Sequence, residues 1–200
     1  MAQLTMIFPP DLLRGQTQPI TPDGFVLRCF RPGDEAGYLA IMQNAGFRWT
    51  HDHVKTVLQS ALPDGIFFIE DNANHKFAAT AMANREAPPG MDSGGELGWV
   101  AVSQAYRGHG FGKIVCQAVM NRYRKAQYTH VYLRTHDHLL PALRIYLQTG
   151  WRPLMIDETM PERWKHVEEK PQLPCIPFKR VPVPEAKAAT LCAGGNGSGR

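Results

Sequence analysis

The decapeptide YRGHGFGKIV, residues 106–115, constrains this chain more than any other stretch. Gly108, Gly110 and Gly112 alternate in it. Glycine loses more backbone freedom on folding than any other residue, so such a run belongs where the main chain must take left-handed angles or let another group approach closely. The residues before it, Glu96 to Val102 (ELGWVAV), read as a strand; those after it, Gly110 to Ala126, read as an amphipathic helix. The first N–H groups of a helix have no partner within it, and the helix dipole adds roughly half a positive charge at that end. A strand, a glycine turn and a helix start therefore make a seat for a phosphate or pyrophosphate.

Charge patterning points to the same place. From Ser103 to His136 there is no Asp or Glu, while Arg107, Lys113, Arg122, Arg124, Lys125 and Arg134 all fall in that window. The formal net charge of +4 is thus expected to gather around the turn. Two common nucleotide-binding patterns nevertheless fail. Counted from Gly108, the second glycine of a P-loop and the third glycine of a GxGxxG run both fall on Lys113; counted from Gly110, the latter falls on Val115. The turn also comes late in the chain rather than after its first strand, against the usual dinucleotide arrangement.

Residues 1–22, rich in Pro, Gln and Thr, read as a flexible N-terminal arm. Strands are expected at 25–30, 65–71, 75–85, 96–102, 129–135 and 152–158, with helices near 36–46, 51–62, 110–126 and 139–149, the last closed by Gly150. Residues 23–169 then form one α/β domain, and residues 170–200 a Pro/Gly-rich tail expected to be poorly ordered. Cys29, Cys116, Cys175 and Cys192 form no CxxC pair, so neither a disulfide framework nor a zinc site is expected, and Cys116 reads as a buried thiol. No apolar run reaches transmembrane length and the N-terminus lacks a leader-like stretch, so the reading is a soluble, cytoplasmic protein without a membrane partner. Mild basicity without a basic reading motif argues against nucleic acid.

Arg107-Gly108-His109-Gly110-Phe111-Gly112 resembles the (Arg/Gln)-x-x-Gly-x-(Gly/Ala) signature of the GNAT acetyltransferases. The order of elements over about residues 25–160 is similar to that family's fold. The resemblance implies a single α/β domain whose central mixed, mostly antiparallel sheet is flanked by helices on both faces. It implies acetyl-coenzyme A as cosubstrate, with its pyrophosphate on Arg107, Gly108, His109, Gly110, Phe111, Gly112 and Lys113. The pantetheine arm would lie along the backbone of Val100, Ala101 and Val102. Downstream, Ala142, Tyr146, Gly150 and Trp151 match the family's Ala-x-x-x-Tyr-x-x-x-Gly-aromatic pattern, although Leu139 stands where an Asn is usual. Tyr146 would touch the cofactor and act as general acid toward the leaving thiolate.

The implied reaction is direct acetyl transfer to a primary amine of a small molecule or peptide. Such attack needs a base or water chain for the amine proton and a donor for the oxyanion, here an N–H near Val100 or Val102. Glu96 is the candidate base; the alternative is a solvated carboxylate at a strand end. Phe47, Trp49, His51 and His53 are candidates for acceptor contacts, whereas Trp99 reads as packing. The two HDH tripeptides, at 51–53 and 136–138, lack a third ligand, so no metal is expected and Asp52 and Asp137 read as helix caps. Two alternatives stay open: an inactive acyl-coenzyme A-binding module, and transfer of another acyl group or to a hydroxyl acceptor. Members of the family commonly form homodimers, but no feature of the sequence sets the oligomeric state.

Overall fold

The computed structural model describes residues 3–91, 93–171 and 173, and the backbone of residues 181–182. In chain order the elements are β1 (Leu4–Phe8), α1 (Pro10–Arg14), β2 (Phe25–Cys29), α2 (Glu35–Asn44), α3 (His51–Ser60), β3 (Ala61–Asp71), β4 (Phe77–Asn84) and β5 (Gly95–Val102). A 3-10 turn (Gln104–Tyr106) then leads to α4 (Phe111–Lys125), β6 (Val131–Thr135), α5 (Leu140–Gln148), β7 (Arg152–Met155), α6 (Met160–Glu168) and β8 (Val181–Pro182). The strands form one sheet in the order β2-β3-β4-β5-β6-β1-β7-β8. All neighbours up to β7 are antiparallel except β5 and β6, which run parallel, as do β7 and β8.

The sheet separates two cores, as expected for helices on both faces. β4 reads FAATAMAN, and its alanines at 78, 79, 81 and 83 are fully buried. Small side chains there let helices approach closely from either side. On one face α4 packs Phe111, Val115, Cys116, Val119 and Tyr123, joined by Leu143 and Tyr146 of α5 and by Trp164 of α6. On the other, Tyr38, Ile41 and Met42 of α2 and Val54 and Val57 of α3 cover Phe68, Met82 and Ala101. Gly37 brings α2 against the stacked rings of Phe68 and Phe77: a Cβ there would lie 2.8 Å from the Phe77 ring. Arg28 binds Asp34, the N-cap of α2, and Glu70 of β3 while lying 5.1 Å over Phe77, which fastens α2 to the edge of the sheet.

Two expectations are corrected. Residues 1–22 are not simply an arm: β1 inserts between β6 and β7, and all five of its residues are buried. A pentapeptide that bonds on both edges and packs on both faces reads as an unbroken apolar run, LTMIF, with no alternation to announce a strand. Residues 160–168, left without structure by the sequence reading, form α6, whose Met160, Trp164 and Val167 follow helical spacing into the core. Asp157 accepts from the N–H and hydroxyl of Thr159 just before that helix. The 170–200 tail lies almost wholly outside the described residues.

Candidate active site

β5 changes character halfway along. Gly95, Glu96 and Leu97 pair in parallel with Val131, Tyr132 and Leu133 of β6, and from Gly98 onward no β6 residue pairs with it. On its other edge β5 stays bonded to β4, but two residues, Trp99 and Val100, stand opposite Ala81 alone. This β-bulge turns the strand and helps open a cleft between β5 and β6. Trp99 takes a left-handed φ of +51°. Such an angle is rare for a bulky side chain, and strain of this kind costs of order 1–3 kcal/mol. The backbone of Val100, Ala101 and Val102 thus carries a free edge where the resemblance places the pantetheine arm.

The glycine turn begins beyond the end of that edge. Gly108 and Gly110 have φ of +86° and +78°, and Gly110 is the N-cap of α4. Among the described residues, the N–H groups of Gly108, His109, Gly110, Phe111 and Gly112 donate to no protein acceptor, and α4 has no side-chain cap. His109 stacks on Phe111 at 5.5 Å and donates through Nδ1 toward the carbonyls of Tyr106 and Arg107. Tyr106 anchors the turn from the other side, donating to Asp71 at 2.7 Å. Gly112 seats the helix start between β5 and α5: a Cβ would lie 3.1 Å from Ile145 and 3.5 Å from Val102.

Arg107 and Lys113 are exposed beside these N–H groups, and neither forms an ion pair among the described residues. The wider cationic field expected from the sequence is dispersed. Arg122, Arg124 and Lys125 occupy the last turn of α4, about 20 Å from its start at 1.5 Å per residue. Arg122 donates to the carbonyl of Pro63, and Arg134 is engaged elsewhere.

Tyr146 lies on α5, one residue from the Ile145 contact, and is 6% exposed. Burial, with a lesser contribution from Cys116, holds its phenol well above the ordinary tyrosine range. It therefore keeps its proton at neutral pH. The Cys116 thiol is itself pushed up to about 12 by complete burial, which makes it an inert packing group, as expected. Leu139 occupies the N-cap of α5, is 41% exposed, and supplies no cap.

Glu96 sits on the α2–α3 side of β5 and is nearly buried. Its two oxygens accept from Nε and Nη2 of Arg134 at 2.7 and 3.1 Å. Parallel pairing of Glu96 with Tyr132 brings Arg134, two residues on, to the same face. Glu96 is thus neither a solvated strand end nor an unencumbered base: each oxygen retains free lone-pair capacity beside one bond to the guanidinium.

The acceptor candidates converge. Phe47, Trp49 and Trp99 meet edge to face, with Trp99 at 5.9 Å from Phe47 and 4.9 Å from Trp49, and Tyr38 backs Trp49 at 5.1 Å. Trp49 is buried, but Phe47 and Trp99 are 37% and 39% exposed, so Trp99 is only in part the packing residue the sequence suggested. His53 stacks on Trp49 and its Nδ1 accepts from the Thr50 N–H, closing a capping box at the start of α3. His51 is exposed and makes no such contact. Asp52 pairs with Lys55 in the first turn of α3, and Asp137 binds Arg163 of α6; neither is an N-cap residue. His136 and His138 stack on each other at 5.4 Å. Among the described residues no three or more His, Cys, Asp or Glu are grouped to hold a metal, and no helix is long and apolar enough to cross a membrane.

Asn44 is a site residue that sequence reasoning missed. Its side-chain oxygen accepts from Ser103 Oγ and the Gln104 N–H, and its carbonyl from Gln104 Nε2. It ties the end of α2 to the end of β5 and so holds the aromatic loop close to the segment that leads into the glycine turn. Arg134 was read only as one of the cations around the turn; its pairing with Glu96 was missed, since that partner is known only once the strand register is known.

A splayed central strand above a glycine-lined helix start is the architecture of an acyltransferase domain. The model of the Acetyltransferase (GNAT) family matches residues 35–151, more than half of the chain, and the chain belongs to this family. Among solved structures it is similar to a GCN5-related N-acetyltransferase from Sphaerobacter thermophilus, with 21% identity and a TM-score of 0.59 over 76% of this chain and 49% of that one. It is also similar to the NatC complex bound to Gag peptide and CoA, with 18% identity and a TM-score of 0.55 over 63% and 83%. The ribosomal-protein-S18-alanine N-acetyltransferase from Escherichia coli matches with 19% identity and a TM-score of 0.52 over 63% and 76%. These likenesses show the fold. The chain spans about half the length of the first solved structures it matches. No curated protein matches the sequence.

Proposed function

We propose that the protein is an acetyl-coenzyme A-dependent N-acetyltransferase that moves an acetyl group directly to a primary amine. The observation that carries this reading is the continuity of the cleft: the free edge of β5 beyond Leu97 leads to five consecutive N–H groups, at Gly108–Gly112, without acceptors among the described residues. The first suits the extended amide-bearing arm of coenzyme A and the second its pyrophosphate, with Arg107 and Lys113 adding charge. Acetyl-coenzyme A, when bound, supplies the activated thioester carbonyl. The chain's own residues then orient the donor, present a β5 N–H near the bulge to the carbonyl oxygen, and hold a proton ready on Tyr146 Oη for the sulfur as the C–S bond breaks. The amine must lose a proton as its C–N bond forms. Glu96, steadied by Arg134, takes it through water, and its exclusion from bulk solvent favours a short relay. Positioned proton transfer of this kind is worth about 100- to 10,000-fold in rate.

The test is calorimetric titration with acetyl-coenzyme A of the wild type and of Arg107→Glu. Micromolar binding that is weakened at least tenfold in the variant supports the cofactor and its orientation. A folded wild type that binds no acyl-coenzyme A sinks the reading. Cytoplasmic location and a homodimeric state belong to this proposal as family expectations, the second checked by sedimentation.

A further inference from the structure

The bulge of β5 is filled in an unexpected way. At a φ of +51° a glycine would be free of strain, yet the chain places tryptophan there and leaves its ring 39% exposed. Phe47, 37% exposed, meets that ring edge to face at 77°, and the buried Trp49 meets it at the same angle, so the indole has two aromatic neighbours and still reaches solvent. The next residue toward the cleft, Gly98, has nothing within 4 Å of where a Cβ would be. By strand alternation from Leu97, which faces the α4 core, that open space lies on the same face as Trp99. An apolar corner therefore connects over bare backbone to the place where β5 and β6 part.

Charge narrows what the corner accepts. Glu96, on the same face, is already paired with Arg134, and the aromatic loop itself, residues 45–50, carries no carboxylate. The charge that this loop does carry is Arg48, an exposed cation with no ion pair among the described residues. An acceptor carrying several ammonium groups would find no carboxylate on this loop, whereas a flat apolar ring would find two exposed aromatic side chains.

We infer that Trp99 and Phe47 form the specificity subsite for the acceptor, and that the acceptor is a primary amine joined by a short chain to a flat apolar ring. This rests on the acetyl-transfer reading above. The ring packs in the corner, the chain crosses Gly98, and the amine reaches the cleft. Trp99 and Phe47 position the acceptor and take no part in the chemistry.

The experiment measures thiol release at saturating acetyl-coenzyme A with 2-phenylethylamine and with spermidine, in the wild type, Trp99→Gly and Phe47→Ala. Glycine suits the left-handed backbone at 99, so that variant keeps the bulge. The expected result is a kcat/KM for 2-phenylethylamine about tenfold or more above that for spermidine, the scale of an aromatic contact. That preference should collapse in both variants through KM, while their affinity for acetyl-coenzyme A, read by calorimetry, stays within about twofold. Equal or better use of spermidine by the wild type, or a preference that survives both substitutions, overturns the inference and leaves the acetyltransferase reading standing. Failure to bind acetyl-coenzyme A, or to acetylate any amine, overturns that reading and the subsite with it.

Discussion

On the α4 side of β5 the candidate site is made of main chain, and on the α2–α3 side it is made of rings. The cofactor half offers free N–H groups at Gly108–Gly112 and an unpaired strand edge, with few side chains beyond Arg107, Lys113 and Tyr146. The acceptor half offers Phe47, Trp49 and Trp99, with Glu96 and Arg134 beside them. A pyrophosphate asks for many donors at fixed spacing, which a helix start provides whatever its side chains are. An acceptor is told from its competitors by shape and charge, which only side chains supply. On the proposed reading, the shared part of the ligand would be met by backbone and the variable part by replaceable residues.

Substitutions can break either half separately. The largest effect is expected from Tyr146→Phe, which removes the proton donor and keeps the packed ring: kcat should fall about 100- to 10,000-fold with little change in acetyl-coenzyme A affinity. Stopped-flow or endpoint thiol assays beside calorimetry decide it, and an unchanged kcat would remove Tyr146 from the chemistry. Next is Gly110→Val. A β-branched residue at a φ of +78° should disturb the N-cap and weaken acetyl-coenzyme A binding roughly tenfold or more, because left-handed geometry costs about 1–2 kcal/mol in an ordinary residue. The acceptor preference of any residual activity should survive.

Gly95→Ala tests the seat of α4 on the sheet. A Cβ there would come within 2.2 Å of the buried Tyr123 ring, so unfolding free energy should drop by about 1–3 kcal/mol in urea titrations. Glu96→Gln keeps shape and burial but loses the carboxylate charge opposite Arg134. Its kcat/KM should fall about tenfold, most at low pH where less of the amine is neutral, with cofactor affinity unchanged; an unaltered pH profile would leave Glu96 a structural partner of Arg134.

The smallest effect concerns the edge that carries the acceptor half. For Asp34, burial alone would raise the carboxyl, but hydrogen bonds from Arg28 and the Arg31 N–H outweigh it and the net shift is downward. For Glu70, the Arg28 hydrogen bond leads and the shift is again downward. Carboxylates depressed in the folded state contribute stability above their unfolded values, about 4, and lose it as the pH falls through the folded ones. The wild type should therefore lose stability below about pH 4, and Arg28→Ala should flatten that part of the curve.

Legibility in the sequence divides along the same line. The turn at 106–112 could be read because left-handed backbone demands glycine, and a demand of the main chain leaves a mark in the local sequence. The helix that carries Tyr146 and stops at Gly150 could be read because Ala142, Tyr146, Gly150 and Trp151 share a short pattern. The pairing of Glu96 with Arg134 could not, since it depends on a parallel register between strands separated by a whole helix. Nor could the grip of Asn44 on Ser103 and Gln104, made between residues about sixty positions apart. Trp99 was legible as an apolar strand residue but not as an exposed one, because the bulge that turns it out is a property of β4 and β5 together. The spacing of Met160, Trp164 and Val167 did carry the signal for α6.

β1 bears on how the molecule is made. Leu4 pairs with Thr135 and Phe8 with Val131, partners that leave the ribosome more than a hundred residues later. At ordinary rates of translation the LTMIF segment waits on the order of ten seconds before its slot exists. Throughout that interval an apolar, β-prone pentapeptide is exposed in the growing chain. Of the strands from β1 to β7, the earliest to be synthesised is among the last to be docked. Closing so long a loop makes its arrival the slow, trap-prone step of assembly, and the one at which a chaperone has most to gain.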